Sequence, residues 1–413
     1  MKNKIHLFEG FGIELEYMIV RRDDLSVFSV ADEVLKSVCG GYCSEVEMGK
    51  IAWSNELVMH VIEMKTNGPA KTLDDLPGLF LTNVQKINKI LEPLGGMLLP
   101  SGAHPFMNPD TEAVLWKHEY NEIYEMYNRI FDCRGHGWVN VQSTHLNLPF
   151  ANDKEFARLH AATRLILPLI PALTASTPII EGKITGFLDT RLEYYQNNQK
   201  KIPSISGLII PERVYSKNEY QKLILDKMYK DISTYDPAGV LQQEWLNSRG
   251  AIARFDRSAL EIRILDMQEC PLAEIAVISF IIKIIKALIA EGPEDFEKQC
   301  RWQEGELQQI LNNVVKKGSS AIIDNRQYLR IFDLNKPGKV TVKELLEYLL
   351  DALYPRSVSE DTLWRQTLQT IITCGSLSER ILCSLGEDLS RKNQQKVYYK
   401  LAECLHKGEL FQP

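Results

Sequence analysis

The sequence predicts an α+β fold: a curved, largely antiparallel sheet with helices on one face and an open cleft on the other. Three observations lead to it. Four short segments alternate apolar with ligand-type polar residues, long helical patterns lie between them, and one sheet face is polar where a parallel sheet is usually apolar on both sides. The segments are 12–17, 56–63, 144–148 and 260–264. Successive strand side chains point to opposite faces, so Glu14 and Glu16 share one face while Ile13, Leu15 and Tyr17 share the other. His145 with Asn147, and Glu261 with Arg263, repeat the arrangement, and Glu56 and Glu63 bound the remaining segment.

Along the chain, periodicity places strands near 11–20, 56–65, 97–102, 137–148 and 251–266. Helical patterns fill 75–92, 117–131, 153–174, 216–229 and 271–290. The most apolar run, 275–289, is interrupted by Lys283 and Lys286 and preceded by Glu274, which predicts a buried core helix rather than a membrane span. Residues 182–215, rich in Asn, Lys, Pro and Ser, suggest a long loop crossing the site. After Glu291-Gly292-Pro293 the strand signals nearly stop and helices are expected at 294–314, 340–353, 359–373 and 377–405. The expected division is therefore a main domain over 1–292 and a helical subdomain over 293–413.

Composition narrows the function classes. With 45% hydrophobic residues among 413, a sizeable core is available, and 48 basic against 54 acidic residues give a formal charge of −6 without a Lys/Arg block. Nucleic acid is thus not an expected partner, nor is a membrane. Eight scattered cysteines in a chain of this size read as reduced thiols, Cys39 and Cys43 included, and the N-terminal residues carry no apolar signal core. A cytoplasmic location is expected. There is no GxxxxGK[ST] loop, Gly10-Phe-Gly12 lacks the third glycine of a dinucleotide turn, and neither GxSxG nor HExxH occurs. One rival motif is the loop 333–344, which has calcium-loop residues at several positions but Pro337 where an oxygen ligand belongs. It would make the chain a calcium-binding or scaffold protein; a turn leading into a helix explains the same residues.

Carboxylates gathered on one face repel, so their approach calls for a cation or raised pKa values. Glu, His and Asn together suit Mg²⁺ or Mn²⁺, and the lack of a Cys/His cluster disfavours structural zinc. Glu56 and Glu63, seven apart, would face opposite ways on a straight strand, so a bulge or bend is expected between them.

These motifs resemble the glutamate-cysteine ligase and carboxylate-amine ligase family, whose fold is glutamine-synthetase-like. The matching signatures run in order: Phe11-Gly-Ile-Glu-Leu-Glu16, Glu56 with Glu63-Met-Lys-Thr66, Ser101-Gly-Ala-His-Pro-Phe106, Gln142-Ser-Thr-His-Leu-Asn147, Ala172-Leu-Thr-Ala-Ser-Thr-Pro178 with Glu181-Gly182, Asp189-Thr-Arg191, and Leu260-Glu-Ile-Arg-Ile-Leu-Asp266. Asn147 stands where many bacterial members carry a second histidine. The resemblance makes 1–292 the catalytic domain and implies an ATP-dependent ligase that phosphorylates a carboxylate and captures the acyl phosphate with an amine, glutamate and cysteine being the default pair. It implies that Glu16, Glu56 and Glu63 hold one metal and Glu14, His145 and Glu261 another, Mg²⁺ or Mn²⁺. Arg263 would stabilise the transferring phosphoryl oxygens, with Asn147 beside the nucleotide. Arg191 and Arg249 would clamp phosphate or carboxylate groups, and His104 would sit in a substrate loop. Partners are then small amino acids, and the oligomeric state, a homodimer among the options, is left open.

Overall fold

The computed structural model describes residues 4–290, 292–356 and 362–413. The first residues, Glu291, and the start of the helix expected at 359–373 lie outside them.

An eight-stranded sheet runs in the order β2-β3-β4-β1-β6-β10-β9, with β5 also on β1, and every pairing is antiparallel. Its strands are β1 (Gly12–Arg21), β2 (Glu45–Met48), β3 (Ile51–Asn55), β4 (Val61–Thr66), β5 (Gly96–Leu99), β6 (Ser143–Pro149), β9 (Ala251–Arg254) and β10 (Ala259–Asp266). A short ribbon of β7 (Ile179–Ile180) and β8 (Lys183–Ile184) stands apart. Met18 pairs with both Val61 and Leu99, so β5 lies along the edge of β1 opposite β4, taking over from β6.

Ile13, Leu15, Tyr17 and Ile19 of β1 join Leu146, Leu148, Ile62, Met64, Leu260 and Ile262 in the main core. Helices cover that face. Leu76–Leu91 offers Phe80, Val84, Ile87 and Leu91 at spacings of three and four, the stripe an amphipathic helix buries. Pro271–Ala290 starts on a proline, which fits the first helical turn, and is buried on nearly all sides, as its sequence predicts. Among the described residues no helix is long and apolar enough to cross a membrane.

The opposite face changes character along β1. Glu14 and Glu16 look into the cleft, but Met18 and Val20 join Met97, Leu99, Tyr398 and Leu401 in a second apolar cluster. That half is roofed by the helices Leu377–Leu385 and Arg391–Lys407. Other helices after 292, among them Glu304–Lys317 and Val342–Leu353, contribute to the main core.

Several expected elements are subdivided. The strand over 56–65 is the end of a hairpin: β3 stops at Asn55, the chain turns, and β4 begins at Val61. The strand over 251–266 is likewise a hairpin, folding at the Phe255–Ser258 turn, and only 143–149 of the strand expected over 137–148 is extended. Prolines 168 and 171 break the helix expected over 153–174, because proline lacks the N–H for the helical ladder. Gly386, at φ 56°, ends the first part of 377–405. The helix Ala31–Cys39 and strands β2 and β3 were not expected, and the loop 182–215 contains the helix Thr190–Tyr195. Cys39 and Cys43, expected as thiols, form a disulfide: Gly40 in the left-handed region turns the chain back after the helix and brings the two Cα atoms to 6.6 Å.

Candidate active site

Register assembles the polar face. On β1, Glu14 lies between Lys65 of β4 and His145 of β6, and Glu16 is paired with Glu63. Gly12 is opposite Asn147, and Asn147 is opposite Glu261 of β10. Glu56 follows β3 directly, so the hairpin that pairs Asn55 with Ile62 supplies the bend its spacing from Glu63 requires.

Among the described residues two carboxylate-rich groups could hold a cation: Glu16, Glu56 and Glu63, and Glu14, Glu63 and His145, each with one ligand atom per residue inside 4.8 Å. Glu63 belongs to both. Glu261 lies at the edge of the second group, its Oε1 4.0 Å from His145 Nδ1, and it is drawn toward Arg263 Nε at 3.1 Å and Arg254 Nη1 at 3.6 Å. The five sequence-predicted carboxylates and the one imidazole thus share one cleft of about 1170 Å³, with Asn147 and Arg263 on its walls.

Electrostatics shows how such a face persists. Burial opposes charge on Glu14, but the hydrogen bond from His145 at 3.0 Å and its positive charge hold the carboxyl down at about 2. Burial likewise opposes the imidazolium, yet Glu14 and Glu16 raise His145 to about 9. His145 Nε2 then donates to Ser143 Oγ at 2.9 Å, and Ser143 gives its N–H and hydroxyl to Glu16 at 2.6 and 3.1 Å. Asn147 donates to the other Glu14 oxygen at 3.1 Å. Burial, then Glu14, pushes Glu63 up to about 7 against Lys65 and a 2.7 Å bond from Ser54. Burial, followed by the charges of Glu16 and Glu63, puts Glu56 well above the usual carboxylate range. Two of the carboxyls, Glu56 and Glu63, are therefore shifted toward the protonated form for want of positive charge.

A smaller pocket of about 220 Å³ adjoins this face, sharing Glu16, Glu56, His145 and Arg263 with it and adding Arg191. Arg191 is buried with its Nε on Asp266, which also accepts from Ser176 and Thr177. Arg263 gives Nη1 to the Asn247 carbonyl at 3.2 Å.

Two expected site residues lie elsewhere. Arg249 is saturated within the protein: Nε and Nη2 grip Glu212 at 2.5 and 2.6 Å, and Nη1 reaches Ser204 O and Asn247 Oδ1. It lines neither cavity, so it pins a loop rather than clamping a ligand. His104 is buried with Nε2 on Leu25 O at 2.8 Å and Nδ1 accepting from the Phe106 N–H at 3.0 Å, and burial keeps it neutral, near 3. It packs a turn. The loop at 333–344 is also engaged: Glu344 closes a capping box with Thr341 and pairs with Lys336.

Sequence reasoning missed Lys65 and Arg254. Lys65 lies 3.2 Å from Glu63 and 2.8 Å from Glu45, and its signal was present in the alternation Glu63-Met64-Lys65. Arg254 approaches Glu261 only because the chain folds into a hairpin between them.

Three comparisons place this architecture among known proteins. The family described as glutamate-cysteine ligase family 2 matches residues 10–397. An uncharacterized protein of Archaeoglobus fulgidus is 33% identical over 400 residues, covering 97% of this chain and 99% of its own. Among solved structures, the glutamate-cysteine ligase of Francisella tularensis in complex with AMP superposes with a TM-score of 0.59 at 12% identity, over 97% of this chain and 93% of that one. A bifunctional glutathione synthetase from Pasteurella multocida gives 0.58 at 13% identity, over 95% of this chain and 53% of that one. At such identities the structural likeness speaks for the fold, which is the one the motifs led us to expect.

Proposed function

Because the chain belongs to glutamate-cysteine ligase family 2, we propose that it is an ATP-dependent carboxylate-amine ligase, joining glutamate to cysteine through an acyl phosphate. The observation that carries this reading is the pair of carboxylate-rich groups sharing Glu63, with buried Arg191 and partly exposed Arg263 beside them.

The donor set fits a hard divalent cation. It consists of carboxylate oxygens and one imidazole, and burial and crowding raise Glu56 and Glu63, a cost that a cation at either group would relieve. Glu16, Glu56 and Glu63 would hold one Mg²⁺ or Mn²⁺, and Glu14, His145 and Glu261 a second. Bound there, the cations would neutralise charge on the phosphates of ATP. The cleft of about 1170 Å³ has room for a nucleotide, and the smaller pocket has room for an amino acid.

The chain's own residues do the rest. An oxygen of the donor carboxylate attacks the γ-phosphorus, the bond to the β–γ bridging oxygen breaks, and ADP leaves. Arg263, partly exposed at the junction of the two cavities, donates to the equatorial oxygens as charge spreads over them. Asn147 steadies the nucleotide side, and Arg191 holds the donor. The amine nitrogen then attacks the acyl carbon, phosphate departs, and the amine gives up its proton. An ADP-release screen with ATP, Mg²⁺ and a matrix of carboxylate donors against amines, followed by mass spectrometry, tests this. Amide product with stoichiometric ADP is expected, strongest for glutamate with cysteine; stoichiometric AMP, or no amide from any pair, overturns it.

A further inference from the structure

The small pocket is lined by residues with polar atoms that no other protein group satisfies. Arg191 Nη2, Gln199 Oε1 and the Tyr195 hydroxyl are buried without a hydrogen-bond partner, and all three residues line it. Buried polar groups are normally paired, so such a group on a cavity wall points to a ligand atom that completes it. The orientation of Gln199 follows from its neighbours. Ser248 gives its hydroxyl proton to Leu246 O at 3.4 Å, so it accepts from Gln199 Nε2 at 3.2 Å, and the accepting Oε1 is the atom left over. Arg191 is fixed in the same way, with Nε on Asp266 and Nη2 left over.

A free guanidinium donor and a free carbonyl acceptor on one pocket match a carboxylate and an ammonium group on one ligand. We infer that Gln199 is a specificity residue that accepts a hydrogen bond from the α-ammonium of the carboxylate donor, while Arg191 holds its α-carboxylate. The inference rests on the ligase reading and adds to it. With both α-groups occupied, the donor's side-chain carboxylate is the one left to face Glu16 and Glu56, which line the same pocket. Trp138, Trp245 and Tyr124 close the pocket around the donor's methylenes and keep water from competing for these contacts.

The test compares dicarboxylic amino acids with the diacids that lack the amino group: L-glutamate with glutarate, and L-aspartate with succinate. Each is supplied with ATP, Mg²⁺ and the amine panel. The wild type is expected to prefer the amino form by about 10- to 100-fold in kcat/KM, the range of a hydrogen bond to a charged group. Gln199→Met, which keeps the volume, should reduce the preference to within about threefold. The loss should come chiefly through KM for the amino donor rather than through kcat or KM for ATP, a pattern that a general loosening of the fold does not produce. Should Gln199→Met melt early, Gln199→Glu keeps an accepting oxygen and is expected to keep the preference. An indifferent wild type, a folded Gln199→Met with the wild-type ratio, or a folded Gln199→Glu that loses it, each overturns the role of Gln199 and leaves the ligase reading standing. Absence of amide from every pair overturns the ligase reading, and this inference with it.

Discussion

Two halves of strand β1 use the same face differently. Glu14 and Glu16 open onto a cleft and are matched by His145, Glu63 and Lys65 on the neighbouring strands, whereas Met18 and Val20 lie under the C-terminal helices in a dry apolar cluster. The difference shows what the tail does for the sheet. It seals the half where burial is favourable and stops short of the half where carboxylates need water, counter-charge or a cation. Changes in the first half should therefore cost chemistry, and changes in the second should cost stability.

The largest effect is expected at Arg263. Arg263→Lys keeps a charge but loses the planar fork, so turnover should fall by about two to three orders of magnitude without rescue by metal. Melting in the absence of ligand should confirm that the variant folds. Near-normal turnover would make this face an ordinary solvated surface.

Leu401, fully buried against the apolar half of β1, tests the other side. Leu401→Ala should lower stability by about 2–5 kcal/mol in denaturant melts, while the folded fraction turns over within about twofold of wild type. A selective loss of turnover at unchanged stability would show that the tail serves the chemistry directly.

Glu63 links chemistry to pH. Its carboxyl sits at about 7 instead of 4.5, so the folded cation-free protein binds a proton that the unfolded chain releases between those values. Stability should fall as pH rises through that window, and Glu56, raised for the same reason, acts in the same direction. Glu14, held at about 2, contributes stability already complete above 4.5, and His145, raised from 6.5 to about 9, starts to lose its contribution above 6.5, so it adds to the fall and neither cancels the slope. Mg²⁺ bound at the proposed site would displace the extra protons, so its stabilisation should be larger at pH 7.5 than at pH 5.5 in paired melts. Glu63→Gln should flatten the dependence and lower turnover by about tenfold or more, with partial recovery at high Mn²⁺.

Much of this was legible because alternation is local. Glu14 with Glu16, His145 with Asn147, and Glu261 with Arg263 each needed only neighbouring residues to show that they share a face. The errors came from partners far away in sequence. Arg249 and Arg191 look alike on paper, yet Glu212 saturates one while Asp266 engages only part of the other. His104 sits in a turn of apparent ligand type, but the Leu25 carbonyl claims its ring. Strand β3 was missed because all of its residues are buried, so it lacks the two-residue rhythm that marks a half-exposed strand.

The smallest effect is expected far from the cleft, in the loop at 333–344. Its final carboxylate, Glu344, accepts from the Thr341 N–H at 2.8 Å, while the Thr341 hydroxyl accepts from the Glu344 N–H at 3.2 Å. The same carboxylate pairs with Lys336 from inside the loop. A group committed to starting the helix Val342–Leu353 has little left for an ion, and a lysine inside the loop opposes one. Replacing Asp333 and Glu344 together by Ala should therefore cost about 1 kcal/mol of stability through the lost cap. Turnover should stay within about twofold of wild type, and Ca²⁺ should change neither the melt nor the rate. A Ca²⁺-dependent rise in the wild-type melting temperature that vanishes in the double variant would make this loop an ion site, and the comparison along β1 would then need a third region.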